Sequence, residues 1–185
     1  MTLNETSNSD PLAVDERDDL ISRGAVGELK LPDGWVKGDT KSRGDGGIYT
    51  YQALHPADRP DIMMWYFYRG YKLNDEEGQR FRDVLTRPPH SLTKQELETV
   101  EAVLRDKGNP EYFRLSSART QAFNGKMVLV VEGHYIEAND EALTVYVDAD
   151  GKGCTVDELH FRAPETEYKQ YMPDVQKALD SVVWR

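Results

Sequence analysis

The chain is 185 residues long, with 33 acidic against 23 basic side chains and a formal net charge of −10. That length suits one ordinary domain with a core of its own. The lysines and arginines are scattered rather than gathered into a stripe, which argues against nucleic acid, because duplex binding depends on clustered cations that neutralise phosphates.

A single cysteine, Cys154, cannot form an internal disulfide, which fits either a reducing compartment or a fold that needs no bridge. The first residues show no basic, apolar or small-residue segment of a secretory signal, so a cytoplasmic location is expected. The sequon Asn4-Glu5-Thr6 then reads as a chance match. The longest apolar run, residues 62–68 (IMMWYFY), is far short of the roughly 20 residues a membrane-spanning helix requires. Residues 1–25 hold Glu5, Asp10, Asp15, Glu16, Asp18 and Asp19 against Arg17 and Arg23, and read as a flexible acidic tail. Residues 26–185 read as one α+β domain.

Order is expected to begin with residues 26–31, whose alternation of apolar and polar side chains suits a half-buried strand. Pro32-Asp33-Gly34 turns the chain, and Trp35 is placed to cover the end of a sheet. Gly44-Asp45-Gly46-Gly47 makes another turn before a strand at residues 48–53. The run 62–68 places Met63, Trp65 and Phe67 on one face and Ile62, Met64, Tyr66 and Tyr68 on the other. A strand apolar on both faces is expected to be buried on both, which implies a sheet between two covering layers.

Asn74 or Asp75 can cap a helix through Leu85, stopped by Arg87-Pro88-Pro89. Thr93-Lys94-Gln95-Glu96 has the form of a capping box, and Leu97, Val100, Val103 and Leu104 follow at helical spacing until Gly108-Asn109-Pro110. Residues 112–120 are expected to pair with residues 126–132 across Asn124-Gly125. Residues 143–147 and 156–161 are two more strands, flanking Asp148–Gly153. Tyr168, Tyr171 or Met172, Val175, Leu179 and Val182 or Val183 then step along a closing helix, which Pro173 either restarts or kinks.

Gly125–Val131, the strand 143–147, Leu159-His160-Phe161-Arg162-Ala163-Pro164 and the ending Asp180-Ser181-Val182-Val183-Trp184 together resemble the C-terminal part of PsbP-like proteins. Leu31-Pro32-Asp33-Gly34-Trp35 is similar to that family's early strand and turn. The family includes a photosystem extrinsic protein and a nuclear import factor that binds the Ran GTPase. The resemblance implies an antiparallel β-sheet flanked by helices on both faces, an α/β/α sandwich over residues 26–185. It also implies a non-catalytic assembly role exercised through a protein partner. No photosystem-binding or GTPase-binding residue of the family matches here position by position, and one fold hosts unrelated functions.

Few residues suggest chemistry. Asp148-Ala149-Asp150-Gly151-Lys152-Gly153 begins like a calcium-binding loop, but Lys152 and Leu159 stand where such a loop needs ligands, so a hairpin turn is expected. His55, His90, His134 and His160 lack zinc-motif spacing, and one cysteine cannot supplement them. Neither a metal nor a cofactor is therefore expected. Cys154 has no evident base beside it, and Ser116-Ser117 and Ser181 lack a nucleophile elbow. The sequence offers no catalytic constellation within one motif. Two site hypotheses remain. Tyr68, Arg69, Tyr71 and Lys72, at the end of the aromatic run, form the expected ligand or partner surface. The enzymatic alternative gathers Glu132, His134 and His160 around a sheet-edge pocket as an acid/base group, with Glu158 the other carboxylate open to stand beside the histidines. An acidic immunity-type inhibitor, blocking a basic enzyme, is a third reading allowed by the charge.

Overall fold

The computed structural model describes residues 24–43 and 49–185, with residues 42–43, 49 and 69–71 given by backbone alone. The expected tail and the Gly44–Gly47 turn fall mainly or wholly outside the described residues. Among the described residues the large sheet has seven strands, all paired antiparallel, in the order β2-β3-β4-β8-β7-β6-β5. In chain order these are β2 (Trp35–Arg43), β3 (Tyr49–Pro56), β4 (Met63–Lys72), β5 (Phe113–Phe123), β6 (Lys126–Tyr135), β7 (Asp140–Asp148) and β8 (Thr155–Pro164). The short strands β1 (Val26–Glu28) and β9 (Val183–Trp184) make a separate two-stranded pair. The expected class, α+β around an antiparallel sheet, is met.

Between β4 and β5 the chain forms helices α1 (Asp75–Leu85), α2 (Lys94–Thr99) and α3 (Glu101–Leu104), then a 3₁₀ turn at Arg105–Gly108. This segment carries the chain from the middle of the sheet to its far edge. Three hairpins then bring it back, so that β8 pairs with β4. Helix α4 (Glu165–Asp180) follows β8 and runs through Pro173 without interruption. Among the described residues no helix is long and apolar enough to cross a membrane.

Side-chain alternation along β6 distributes the apolar residues between two cores. Val128 and Val130 join Val175, Ala178 and Leu179 of α4, together with Leu54, Met64, Tyr66, Leu159 and Phe161. Leu129 and Val131 join Phe81, Val84 and Leu85 of α1 and Val103 and Leu104 of α3. The period of two along a strand produces this division.

Four expectations need correction. The first strand stops at Glu28 and pairs with β9 rather than with the large sheet, and beyond its end the Lys30 N–H donates to Ser181 Oγ at 2.8 Å. Trp35 does not merely cover a sheet end but opens a nine-residue edge strand. The helix over residues 94–104 is divided at Val100, which leaves helical geometry with φ −103° and ψ 19°. The aromatic strand is buried unequally: Met64 and Tyr66 are sealed, whereas Met63, Trp65 and Phe67 are only half-buried, because the α1–α3 core gathers around β5, β6 and β7.

Candidate functional site

On the sheet face that carries the α1–α3 core, the register places Trp65, His160, Thr144 and Val131 side by side across β4, β8, β7 and β6. Phe67, Glu158, Tyr146 and Leu129 form the next row. Over these rows lies Lys107. It belongs to the apolar side of its segment, as the spacing Val100, Val103, Leu104, Lys107 requires, and the left-handed φ of 54° at Arg105 marks the turn that leads into it.

Lys107 is only 6% exposed, and its Nζ lies 3.3 Å from Glu158 Oε1 and 3.9 Å from Asp106 Oδ1. It also stands 5.5 Å from the centre of the Tyr146 ring. Burial alone favours the neutral amine, yet the surrounding Tyr146, Glu158, Tyr135 and Asp106 hold Lys107 above its ordinary range. Burial pushes the Tyr146 phenol far up, so at neutral pH it is uncharged and Glu158 is the close counter-charge. The Tyr146 hydroxyl is buried with no hydrogen-bond partner among the described residues. Tyr135 is raised in the same sense, again mainly by burial.

His160 is stacked on Trp65 with ring centres 5.5 Å apart and meets the Tyr135 ring edge-on at 6.1 Å. Its Nδ1 and Thr144 Oγ1 are hydrogen-bonded at 2.8 Å. Burial, then Lys107 and Arg162, hold it well below the usual histidine range, so it is a neutral core imidazole at physiological pH.

The cluster lies behind an open end of the sheet. A cleft of about 650 Å³ is lined by Asp106, Tyr112, Tyr135, Glu137, Ala138 and Arg162. A second, of about 700 Å³, has Lys107, Leu97, Leu104, Phe113, Leu115 and Ile136 among its walls. Between them stand Tyr112 and Ile136, 57% and 41% exposed, tied by the Ile136 N–H donating to the Tyr112 carbonyl at 3.0 Å.

The residues singled out in the sequence are placed elsewhere. Glu132 and His134 alternate in phase with Val128 and Val130, on the α4 face, whereas His160 occupies the opposite face. Glu132 accepts from Arg119 at 3.1 Å and from Ser117 at 3.2 Å, and His134 pairs with Glu141 at 3.0 Å. Only Glu132 of the three lines the cavity of about 280 Å³ beneath α4. The sheet thus separates Glu132 and His134 from His160, the group of the enzymatic alternative. Tyr68 packs against the α4 core and Lys72 is exposed, with a bulge in the β4–β8 register between Phe67 and Tyr71. The side chains of Arg69 and Tyr71 lie outside the description.

Asp148–Gly153 forms the β7–β8 hairpin turn, as expected. Asp148 Oδ1 accepts from the N–H groups of Gly151 and Gly153 at 2.9 and 3.0 Å, and Asp150 Oδ1 from Lys152 at 2.9 Å. The Cys154 thiol is pushed up by desolvation and by Asp150, Asp75 and Asp148, against which Lys152 is the weaker influence. Among the described residues, no group of three or more His, Cys, Asp or Glu side chains is placed to hold a metal ion.

Fold and site together define a small antiparallel α+β domain with a cleft at one end of its sheet. No protein-family model matches the chain, and no curated protein matches it. Among solved structures it is similar to the solution structure of cyanobacterial PsbP (CyanoP) from Synechocystis sp. PCC 6803, with 10% identity, 85% of each chain covered and a TM-score of 0.46. That protein is of the family the sequence resembles, and the likeness concerns fold alone.

Proposed function

We propose that this chain is a non-catalytic binding protein that acts through a protein partner, and that the partner docks at the sheet end around Tyr112 and Ile136. The observation that carries this reading is the pair of large apolar residues, Tyr112 and Ile136, left 57% and 41% exposed on segments joined by a backbone hydrogen bond, each lining its own cleft. Grouped apolar exposure with a charged rim is the composition of an interface, and tyrosine is a favoured anchor there. We read the whole as a PsbP-like α/β/α sandwich, with α4 against one face and α1–α3 against the other, working in the cytoplasm. An acidic immunity-type inhibitor is a special case of this reading in which the partner is a basic enzyme.

The enzymatic alternative gains nothing from the geometry, since Glu132 and His134 share neither a face nor a cavity with His160. The test compares the wild-type protein with a Tyr112→Ser, Ile136→Ser variant in quantitative capture experiments, with matching thermal melts as the control for folding. Proteins captured specifically by the wild type are expected to fall by about tenfold, the loss of one good anchor. Undiminished capture by a folded variant would remove this surface from consideration.

A further inference from the structure

We infer that the cleft beside Tyr112 receives a lysine or arginine side chain from a basic segment of the protein partner, an inference that rests on the binding reading above. The cleft and its immediate backing hold four carboxylates, Asp106, Glu137, Asp140 and Glu158, against two cations, Lys107 and Arg162. Both cations are already engaged. Arg162 Nε donates to Asp140 Oδ2 at 2.6 Å, and its guanidinium lies 4.7 Å from the centre of the Tyr135 ring. Lys107 Nζ sits closer to Glu158 than to Asp106, at 3.3 against 3.9 Å. His160, held neutral, adds no charge. The acid excess is therefore carried at the open side by Asp106 and Glu137, both exposed.

The excess is local. In the neighbouring cleft of about 700 Å³, Lys94 and Arg114 balance Glu98 and Glu101 while Lys107 is held by Glu158, so it lacks an excess of acid. Arg162 also lines the first cleft but is paired with Asp140, so an entering anion would meet two exposed carboxylates, whereas a cation would meet those carboxylates and the exposed Tyr112 ring, whose face attracts positive charge. Arg162 already shows the same chemistry within the molecule, a guanidinium lying over a tyrosine and bonded to a carboxylate. A volume of about 650 Å³ accommodates one long side chain with its stem along Tyr112 and Ala138.

The experiment titrates isotope-labelled full-length protein with the peptide acetyl-Gly-Gly-Arg-Gly-Gly-amide, followed by amide chemical shifts, and repeats it with citrulline in place of arginine. The arginine peptide is expected to give saturable shifts concentrated at Asp106, Tyr112, Tyr135, Glu137 and Ala138. Citrulline, the same shape without the charge, is expected to give none. An Asp106→Asn, Glu137→Gln variant is expected to bind about fivefold more weakly, and a Glu98→Gln, Glu101→Gln control unchanged, on the scale of exposed ion pairs. Equal binding of the citrulline peptide, shifts scattered over the acidic surface, or an unaffected Asp106→Asn, Glu137→Gln variant would each overturn the inference. Should the arginine peptide fail while the Tyr112→Ser, Ile136→Ser variant still loses its partner, cation recognition falls and the docking surface stands. Failure of both removes the surface as well.

Discussion

Lys107 and Glu158 are 6% and 12% exposed in their side chains, so each depends on the other for a charge that water cannot supply. Removing one partner of a buried pair leaves the other uncompensated, which costs more than the pair contributes. Lys107→Met is expected to lower the unfolding free energy by about 3 kcal/mol, and Lys107→Met with Glu158→Leu to recover most of the loss. Urea denaturation of the two variants checks this, and equal stability in both would deny the coupling. Lys107 was legible in principle, since it continues the helical spacing from Val100, Val103 and Leu104. A lysine on an apolar stripe nevertheless reads as a solvated helix end until its counter-charge, 51 residues away on β8, is brought to it.

Three further residues make stability depend on pH in opposite directions. His90 is raised above 6.5 by the Pro88 carbonyl and then by Glu96, against desolvation and Arg87. A raised pKa contributes stability that is complete below the unfolded value and is lost as pH rises through the folded one. His160 is lowered, so its contribution is complete above 6.5 and is lost as pH falls below it. Glu96, lowered to about 2 chiefly by hydrogen bonds from Thr93, contributes above 4.5 and loses that contribution as pH falls towards 2. The unfolding free energy is expected to fall on both sides of neutral pH, and His90→Gln to flatten its alkaline side most, with a smaller loss on the acid side because His90 also helps to lower Glu96. A variant whose alkaline slope matches the wild type would show that His90 does not set it.

Among the elements, those governed by local chemistry were the most legible. The caps at Asn74 and Thr93 form reciprocal capping boxes, and Asn124-Gly125 closes its hairpin with both residues at positive φ. β2 was missed because an edge strand needs no apolar face: WVKGDTKSR mixes charge and glycine and is bulged between Lys37 and Thr40. The closing helix ends at Asp180, short of its expected end, although Val182 and Val183 keep its spacing. Val183 and Trp184 instead pair with β1, and Trp184 Nε1 donates to the Phe123 carbonyl at 2.6 Å.

One close approach fixes β5 on β6. A Cβ at Gly133 would meet the Arg114 carbonyl and come within 2.5 Å of the Phe113 ring, which packs edge-on against Tyr135 at 4.9 Å. Gly133→Ala is therefore expected to lower stability by about 1–3 kcal/mol, the cost of an overpacked contact, and to shift the amides of Phe113 and Tyr135. An unchanged melting temperature would mean that Phe113 moves aside freely.

At the scale of the whole molecule, the strand order decides what can cooperate. The connection through α1–α3 takes β5 to the far edge, and the returning hairpins insert β8 beside β4. His160 thereby meets Trp65 and Thr144, residues distant from it in sequence, and is parted from Glu132 and His134 by one sheet thickness. Parity divides the alternative group of Glu132, His134 and His160: residues of β6 and β8 share a face only if their registers agree, and register is a property of the assembled ladder. The Tyr112–Ile136 end escaped notice for a related reason, because two apolar residues 24 positions apart become a patch only when β5 and β6 pair.

Local chemistry along the chain sets the α+β class, the strand and helix identities of most segments, the capped helix starts, the Asn124-Gly125 turn and the plain hairpin at Asp148–Gly153. These follow from propensities and hydrogen bonds made within a few residues. Tertiary structure alone decided the strand order, the faces on which Glu132, His134 and His160 lie, the Lys107–Glu158 pair and the cleft beside Tyr112. Each of those joins residues far apart along the chain, and their meeting is set by how the strands register and the helices pack.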